Sequence, residues 1–324
     1  MTRTDVIIIG AGPAGLYAAF YVGLRGLTTR VIDARPEPGG QLIALYPEKF
    51  VYDAPGFPRI RAAELARRLT AQLATFEPRY ALGETATALT CERDVWTVGT
   101  DRGTYEAAAV IVTAGIGALL PRAVTTPGAR EFASVLSDVT RLDDWKGKRV
   151  LVYGGVPQAT RAALALHDGG AQVLLAHRRA LFRGTPEELS RLAGLREGAL
   201  EVLAPAELSR FTPRGAVLRS GETERHEPLD AAYVLNGYLP DLTPLASWGL
   251  EWQGEYISAH AGQGTNLPGV FVAGDVASGH GDMKLIAAGF AEAAVAANHA
   301  VHFVRPDLKV RPGHSSDRRV SVHE

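Results

Sequence analysis

Two segments of this 324-residue chain share one pattern, in which a short apolar run is followed by glycines and then by a helix-forming stretch. The apolar runs are residues 5–10 and 148–153, and each helix-forming stretch leads into a second apolar run, at 29–33 and 172–176. Continuous apolar runs of this kind are typical of parallel strands that are buried on both faces. The sequence therefore predicts two βαβ units, the building blocks of an open α/β sheet.

The first glycine stretch has the spacing GxGxxG, formed by Gly10, Gly12 and Gly15 with Pro13 and Ala14 between them. In a strand–loop–helix setting the first glycine permits the tight turn, and the second lets backbone approach a pyrophosphate. The third lets the helix pack on the strand. Asp33 ends the next strand, where its carboxylate can accept hydrogen bonds from an adenosine ribose. This combination predicts a dinucleotide site rather than a glycine-rich turn.

The remaining segments indicate how the domains are arranged. Strand-like runs at 109–115 and 230–236 each lead into a stretch with the glycine and proline content of a linker. The chain then returns to a strand at 270–273 and a helix at about 284–303. We predict an α/β fold of two Rossmann-like dinucleotide-binding domains, the second inserted into the first. The first covers 1–116 and 243–324, and the second covers 117–242.

Composition is that of an ordinary globular protein, with 46% hydrophobic and 21% charged residues. The formal net charge of −1 gives no global field that would attract nucleic acid or a membrane surface, so we expect neither partner. No run of about 18 uncharged apolar residues is present, which predicts no membrane-spanning helix. The first residues lead straight into a strand and lack the features of a signal peptide, so we expect a cytoplasmic protein.

Cys91 is the single cysteine, which excludes an internal disulfide, a CxxC redox motif and a cysteine-based zinc site. Its neighbours are typical of an ordinary strand, so we expect a structural thiol and no metal centre.

Gly274 and Asp275 follow a predicted buried strand and precede a helix. Ligands of open α/β sheets bind at the carboxyl ends of the strands, where a carboxylate can hold hydroxyl groups such as those of a ribityl chain. Taken alone, Asp275 would suit a helix N-cap better. Together with the glycine motif near the N-terminus, it is interpreted as a ligand-binding residue.

Several further segments carry a resemblance that runs through nearly the whole chain. They are Gly39-Gly40-Gln41-Leu42, residues 44–49 and 54–58, Thr113-Ala114-Gly115, residues 273–275 and 284–287, and the tail Pro312-Gly313-His314-Ser315-Ser316. In these segments the chain resembles flavoproteins with two dinucleotide-binding domains, and among them the thioredoxin-reductase-like ferredoxin–NADP reductases. The tail is the most specific piece, since ordinary thioredoxin reductases lack it.

The resemblance implies roles for individual residues around FAD. Gly40 and Gln41 would lie in the flavin loop, with Gln41 near the reactive edge of the isoalloxazine and Tyr46 stacked on one face. From the other subunit of a homodimer, His314 would cover the opposite face, with Ser316 close by. Ala86 would contact the adenine end through its backbone, and Leu119 or Leu120 would add an apolar contact. Without the resemblance, a core position for Tyr46 and a disordered tail would be the favoured interpretations.

The second glycine stretch departs from the family pattern. The family has Gly-Gly-Gly-x-x-Ala, whereas this chain has Gly154-Gly155-Val156-Pro157-Gln158-Ala159. Val156 stands where a missing Cβ lets backbone meet a pyrophosphate, and a β-branched residue is a poor substitute where close approach or positive φ is needed. We therefore expect weakened binding at this loop.

A cationic cluster follows the second strand of the inserted domain and matches the family's 2′-phosphate patch: His177, Arg178, Arg179 and Arg183. Guanidinium groups bind phosphate bidentately, so the cluster predicts a preference for NADPH. The alternative is a solvated turn.

The resulting hypothesis is an FAD-dependent enzyme that passes electrons between NADPH and a one-electron carrier, ferredoxin or flavodoxin. Hydride would pass between the nicotinamide and flavin N5, and no side-chain acid, base or nucleophile is required. The first domain would bind FAD and the second NADP.

Three alternatives remain at this point. A thioredoxin-reductase-like disulfide reductase is disfavoured because no CxxC is present. A bacillithiol-disulfide-reductase-like role is weak because the flavin-proximal loop carries Ala14 and no cysteine. A flavin-binding sensor or scaffold with impaired NADPH turnover is kept open by Val156.

Overall fold

The computed structural model of the chain describes residues 3–137, 142–195, 200–280 and 283–314. It divides into two compact units: residues 1–119 with 240–324, here called the outer unit, and residues 120–239, the inserted unit. The divisions fall at 119/120 and 239/240, close to the 116/117 and 242/243 boundaries expected from the linkers.

The first segment of the outer unit alternates strands and helices up to the division. In chain order it contains β1 (Thr4–Ile9), α1 (Pro13–Leu24), β2 (Thr29–Asp33), α2 (Gln41–Ala44), β3 (Phe50–Val51), β4 (Ile60–Arg61), α3 (Ala62–Ala74), β5 (Arg79–Leu82), β6 (Ala86–Glu92), β7 (Val95–Thr100), β8 (Thr104–Val112) and β9 (Ala118–Pro121).

The inserted unit follows the same alternation and then forms a small antiparallel sheet. Its elements are β10 (Val135–Leu136), a 3-10 turn (Leu142–Trp145), β11 (Arg149–Tyr153), α4 (Pro157–Asp168), β12 (Gln172–Ala176), α5 (Pro186–Gly194), β13 (Leu200–Leu203), β14 (Glu207–Thr212), β15 (Gly215–Ser220), β16 (Thr223–Pro228) and β17 (Ala231–Val234).

The chain returns to the outer unit through β18 (Tyr238–Asp241). The last segment contains α6 (Thr243–Ala246), β19 (Trp252–Gln253), β20 (Tyr256–Ile257), a 3-10 turn (Ala261–Gln263), β21 (Val270–Val272), a second 3-10 turn (Ser278–His280) and α7 (Ile286–Val304).

The outer unit is built on a seven-stranded sheet of order β5-β2-β1-β8-β7-β6, with β21 pairing β8. Strand β1 is buried on both faces: Val6 and Ile8 lie in one hydrophobic cluster, and Ile7 and Ile9 lie in another. Both faces are therefore covered, which is why the run is apolar throughout rather than alternating. Helices α1 and α7 share the first cluster, where small side chains such as Ala18 let the helices approach closely.

The inserted unit repeats this arrangement on a smaller scale. Its parallel sheet has the order β10-β17-β11-β12-β13, and β14-β15-β16 form a separate antiparallel sheet. Val150 and Val152 of β11 face one cluster, and Leu151 and Tyr153 face the other. Of the described residues, no helix is both long and apolar enough to cross a membrane.

Some of the bounds expected from the sequence are observed, and others differ by two or three residues at one end of the element. β2 and β12 have the predicted bounds. Strand β8 ends at Val112 rather than 115, and α7 begins at Ile286 rather than 284 because Leu285 is extended, with φ −111° and ψ 139°. Cys91 lies in β6, as expected, and is exposed.

Candidate functional site

The turn after β1 accepts only glycine at Gly10. Its φ is +106°, and a Cβ there would lie 2.4 Å from the carbonyl oxygen of Thr113. The Thr113 hydroxyl lies 2.9 Å from the carbonyl oxygen of Ile9 and 3.0 Å from that of Gly10. The segment after β8 thus holds the loop at the carboxyl end of β1.

The next two glycines serve different purposes. Gly12 is the residue before α1, and a Cβ there would have Gly40 Cα as its nearest neighbour, at 4.0 Å, so this position faces open space. A Cβ on Gly15 would lie 1.8 Å from the Gly10 carbonyl oxygen, so this glycine is required for the helix to pack against the loop. A Cβ on Gly40 would lie 2.8 Å from Gly12 Cα, which brings a second backbone segment to the same place.

These segments enclose a cavity of the outer unit, here called the cleft, with a volume of about 900 Å³ including the part open to solvent. The first turn of α1 borders it, and no described side chain caps that helix. Uncapped N–H groups and the positive end of the helix dipole attract an anion there. The predicted residues that line the cleft are Gly10, Gly12, Pro13, Ala14, Asp33, Gly40, Gln41, Tyr46, Leu119, Gly274 and Asp275.

Asp33 marks the point where the cleft meets a second cavity of about 470 Å³, here called the side pocket. Its carboxylate accepts the N–H groups of Ala11, at 2.6 Å, and Arg35, at 2.8 Å. Burial raises the pKa of Asp33, and these N–H groups and the Arg35 charge act in the opposite direction. A carboxylate has more lone pairs than two donors use, so hydroxyl groups can still bind. Ala86 lines the side pocket.

At the far end of the cleft the structure brings together three residues that are distant in sequence. The Gln41 side-chain amide donates to Asp275 at 3.0 Å. Tyr46 is half-buried, and burial, followed by the charges of Asp275 and Asp53, raises its pKa. An aromatic face and a polar amide–carboxylate pair therefore border the same space.

The cleft fits FAD in each of its parts. The helix N-terminus and the open face at Gly12 suit a pyrophosphate, and Asp33 with the side pocket suits an adenosine. Asp275 suits a ribityl chain, and the Tyr46 ring suits the face of an isoalloxazine.

Other residues predicted around the flavin have different placements. Leu120 is exposed and is not among the described residues that line the cleft or the side pocket. His314 is exposed, and Ser316 lies outside the described residues.

Sequence reasoning missed several residues that shape the cleft. Glu292 of α7 is 4% exposed, and its carboxylate accepts the N–H of Gly274 at 2.7 Å, which fixes the turn before Asp275. Thr113 holds the first loop, and Arg35 and Lys284 line the cleft. The only sequence signal for Glu292 is an acid in the otherwise apolar stripe of a helix.

The loop of the inserted unit enters its helix with backbone angles similar to those of the first loop. A Cβ on Gly154 would lie 2.2 Å from the carbonyl oxygen of Leu235. Val156 precedes α4 with φ −79° and ψ 156°, as Gly12 precedes α1 with φ −72°. Of the two needs that would disfavour valine here, close approach and positive φ, the second does not apply, because β-branched residues adopt this extended conformation without strain. What remains is the side chain itself, which is partly buried against the core of the unit.

The first turn of α4 differs from that of α1 in one respect. Ala159 stands where α1 has Gly15, and its Cβ would lie 3.4 Å from a Cβ on Gly154, an ordinary contact. The methyl group of an alanine is therefore accommodated at this position of α4. Gln158 precedes Ala159 and is partly exposed.

In the parallel sheet of the inserted unit, His177 occupies the position that corresponds to Asp33 in the outer unit. Ile9 pairs with Ile32 in the outer unit, and Tyr153 pairs with Ala176 in the inserted one, so the next residue is Asp33 or His177. The His177 ring packs on Gly155, where a Cβ would lie 2.2 Å from Nε2.

The cations of the predicted patch surround this histidine. Arg183 donates through Nε to the Gly155 carbonyl oxygen at 3.2 Å, and Arg178 and Arg179 are exposed. Burial and then the three guanidinium groups lower the pKa of His177. The position that is acidic in the outer unit is thus surrounded by cations in the inserted unit.

Comparison with known proteins agrees with this geometry. The pyridine nucleotide–disulphide oxidoreductase family matches residues 4–300. The ferredoxin–NADP reductase of Thermus thermophilus is 46% identical over 98% of this chain and 97% of its own.

Two solved structures show the fold. Thioredoxin reductase of Lactococcus lactis is 23% identical with a TM-score of 0.57, covering 93% of this chain and 99% of its own. Bacillithiol disulfide reductase of Staphylococcus aureus is 18% identical with a TM-score of 0.60, covering 92% and 98%.

These findings confirm the predicted α/β fold of two Rossmann-like domains and the dependence on FAD and NADPH. The chain is an oxidoreductase that belongs to the pyridine nucleotide–disulphide oxidoreductase family, and within that family it is similar to the ferredoxin–NADP reductases.

Proposed function

We propose that the protein transfers electrons between NADPH and a one-electron protein carrier, ferredoxin or flavodoxin, through FAD held in the cleft. The observation that carries this proposal is the continuous path from the side pocket, past Asp33 and α1, to Tyr46 and Asp275. The name of the Thermus relative supports a ferredoxin-type partner.

The outer unit would bind FAD, over the predicted ranges 1–116 and 243–324. The glycine loop with the first turn of α1 holds the pyrophosphate, and Asp33 holds the ribose. The residues proposed to bind FAD are Gly10, Gly12, Pro13, Ala14, Gly15, Asp33, Gly40, Gln41, Tyr46, Ala86, Leu119, Leu120, Gly274, Asp275 and Ser316.

Bound FAD supplies the conversion between hydride and single-electron transfer. The side chains around its flavin end would bind, orient and exclude water. Asp275 would accept ribityl hydroxyls while it holds the Gln41 amide beside the ring, and Tyr46 would shield one ring face from solvent. None of these residues has to donate or remove a proton for the chain to work as an electron carrier.

The inserted unit, over the predicted range 117–242, would bind NADPH. Its helix α4 would receive the pyrophosphate at its N-terminus, and the cations after β12 would bind the 2′-phosphate. The proposed residues are Gly154, Gly155, Val156, Gln158, Ala159, His177, Arg178, Arg179 and Arg183.

The tail points to a homodimer, in which His314 of one copy would cover the flavin of the other. Removal of residues 313–324 should then raise flavin fluorescence and speed its reoxidation by oxygen. Unchanged fluorescence and oxygen reactivity would remove His314 from the flavin site.

The disulfide-reductase alternative lacks support, because the single cysteine lies on β6 away from the lining of the cleft. The alternative of a flavin-binding module without NADPH turnover is weakened by the backbone at Val156, which matches that at Gly12.

The deciding experiment is anaerobic mixing of the yellow holoprotein with NADPH in a stopped-flow instrument, followed by addition of oxidised ferredoxin or flavodoxin. We expect bleaching of the flavin band and then recovery as the carrier is reduced. An unbleached flavin would establish the module, and reduction of thioredoxin at a comparable rate would establish the disulfide reductase.

A further inference from the structure

A buried arginine binds the segment that leads into the C-terminal tail. Arg25 directly follows α1 and is 6% exposed. Its Nη2 donates to the carbonyl oxygen of Lys309 at 2.6 Å, and its Nη1 donates to that of Val310 at 3.3 Å. Nη1 also donates to the side-chain oxygen of Asn298 in α7. Two consecutive backbone groups near the end of the chain are therefore bound by a side chain from its beginning.

The surroundings of the guanidinium favour this contact. Arg25 is the C-cap residue of α1, where the helix dipole stabilises a cation. The side-chain amide of Asn298 donates to the carbonyl oxygen of Ala294 at 2.8 Å, which turns the side-chain oxygen of Asn298 toward Arg25. Burial of a charge costs free energy unless hydrogen bonds compensate for it. Residues 309 and 310 supply part of that compensation, so their release from Arg25 is unfavourable.

The chain reverses direction between α7 and Arg25. The N–H of Leu308 donates to the carbonyl oxygen of Arg305 at 2.9 Å, and the carbonyl oxygen of Leu308 lies 2.7 Å from Nδ1 of His302. Leu308 also packs against the core that α1 and α7 share. These contacts, with those of Arg25, fix the chain as far as Val310.

The stretch from Val310 to His314 is short and stiff. His314 is four residues beyond Val310, and four extended residues span at most about 14 Å. Pro312 has a fixed φ, and the residue before a proline is biased toward extended conformations. The position of Val310 therefore limits where His314 can lie.

We propose that Arg25 is a positioning residue that acts through the tail: it binds residues 309 and 310 and thereby brings His314 to the flavin of the other copy. This inference rests on the proposed function, in which His314 covers that flavin. Without the contact to Arg25, the tether to His314 would begin at Leu308 and contain six residues instead of four. The effective concentration of a tethered group falls with about the −3/2 power of tether length, so cover by His314 would become about twofold weaker.

Trypsin tests the contact directly. The Lys309 side chain is exposed, whereas its carbonyl group, which the protease attacks, is bound by Arg25. The next basic residue, Arg311, precedes a proline, and trypsin does not cleave such a bond. In oxidised holoprotein carrying Arg25→Met, the Lys309–Val310 bond should be cleaved at least about tenfold faster, the factor for one charge-assisted hydrogen bond. Asn298→Ala removes only the contact that orients the guanidinium and should accelerate cleavage by a smaller factor.

Arg305→Met is the matched control for cleavage, which is followed by mass spectrometry. Arg305 is exposed, and its guanidinium pairs with Asp307 at 2.8 Å within the same turn. An exposed pair of this kind contributes little to stability, so this variant should be cleaved as the wild type is. Equal cleavage of the wild type, Arg25→Met and Asn298→Ala would overturn the inference. Should Arg25→Met not fold, Asn298→Ala decides alone.

Flavin fluorescence and reoxidation by oxygen test the step from the tail to the flavin. Both should rise about twofold in Arg25→Met, less than after removal of residues 313–324, with FAD content per chain unchanged. In the protein without residues 313–324, Arg25→Met should have no further effect, because it acts through the tail. A further effect there, or faster cleavage with no change at the flavin, would overturn the positioning role. A flavin that is unchanged by the removal itself would instead contradict the proposed cover by His314.

Discussion

The two glycine loops enter their helices with similar backbone angles and differ in the side chains that they present. Gly12 and Val156 precede their helices with φ values of −72° and −79°, and proline follows each. Gly10 and Gly154 stand where a Cβ would come within 2.4 and 2.2 Å of a carbonyl oxygen of the neighbouring segment. A similar entry to the helix is therefore built twice, once with glycine before the helix and once with the isopropyl group of valine there.

The residue at the end of the following strand differs more. The outer unit has Asp33, an acceptor for hydroxyl groups, and the inserted unit has His177, followed by Arg178 and Arg179. Under the proposed function, the backbone turn would bind the pyrophosphate common to both cofactors, whereas the strand end would select between a ribose hydroxyl and a 2′-phosphate.

The largest expected effect comes from giving the first loop the side chain of the second. Gly12→Val needs no change of φ, so the chain should fold, but the side chain would fill the space between Gly12 and Gly40. Loss of two charge-assisted hydrogen bonds, ~1.5–3 kcal/mol each, predicts FAD affinity reduced by about a thousandfold. FAD per chain after purification, with Gly12→Ala as the milder control, measures this. A fully yellow Gly12→Val protein would show that the open face is not needed.

The next effect concerns the strand ends. Arg178→Ala with Arg179→Ala should reduce the preference for NADPH over NADH by at least about a hundredfold, since two guanidinium–phosphate bonds of ~1.5–3 kcal/mol each are lost. The ratio of kcat/KM values with ferricyanide as acceptor reports it. Arg210→Ala with Arg219→Ala, on β14 and β15, is the control pair; Arg210 is partly exposed and Arg219 is exposed. A preference that survives the first pair would reduce the patch to a solvated turn.

Val156→Gly reverses the comparison in the second loop and should have a smaller effect. KM for NADPH and for NADH should fall together by about tenfold, about one charge-assisted hydrogen bond, with their ratio unchanged, because both carry the same pyrophosphate. The gain is limited because Val156 also packs against the core of the inserted unit. The KM values of Val156→Ala should lie between those of the wild type and those of Val156→Gly. If neither KM moves, the valine is no obstacle.

The smallest effect is expected at the single cysteine, whose lack of a CxxC partner distinguishes this chain from thioredoxin-type disulfide reductases. Cys91→Ser should leave the rate of flavin reduction and carrier reduction unchanged, because the thiol is exposed on β6 and does not line the cleft. Thioredoxin reduction that disappears in this variant would show that electrons leave through Cys91, and it would contradict the proposed transfer to a one-electron carrier.

The sequence predicted the parts of the site that depend on local pattern. Both glycine loops, Asp33 and the bounds of β2 and β12 were visible because strands buried on two faces are uniformly apolar. The correspondence between Asp33 and His177 follows from the register of the paired strands, which only the structure shows.

Long-range contacts were not predictable in this way. The Thr113 hydroxyl and the Glu292 carboxylate act on backbone groups of another segment, and nothing in their neighbouring residues marks that contact. The conformation at Val156 could not be predicted for a related reason: residue type alone does not determine φ, and the glycine at this position of the first loop does not use its left-handed freedom.

The outer unit needs β21 and α7, which are the last elements of the chain to be synthesised. Strand β21 pairs with β8, and α7 packs on α1, so the last segment completes a sheet begun by the first. Domains emerge from the ribosome at ~5–20 residues per second, N-terminus first. The nascent outer unit must therefore wait for the whole inserted unit before Gly274, Asp275 and Glu292 exist to close its cleft. Chains that stop before α7 cannot build the proposed FAD site, so retained FAD reports a molecule that was translated through that helix.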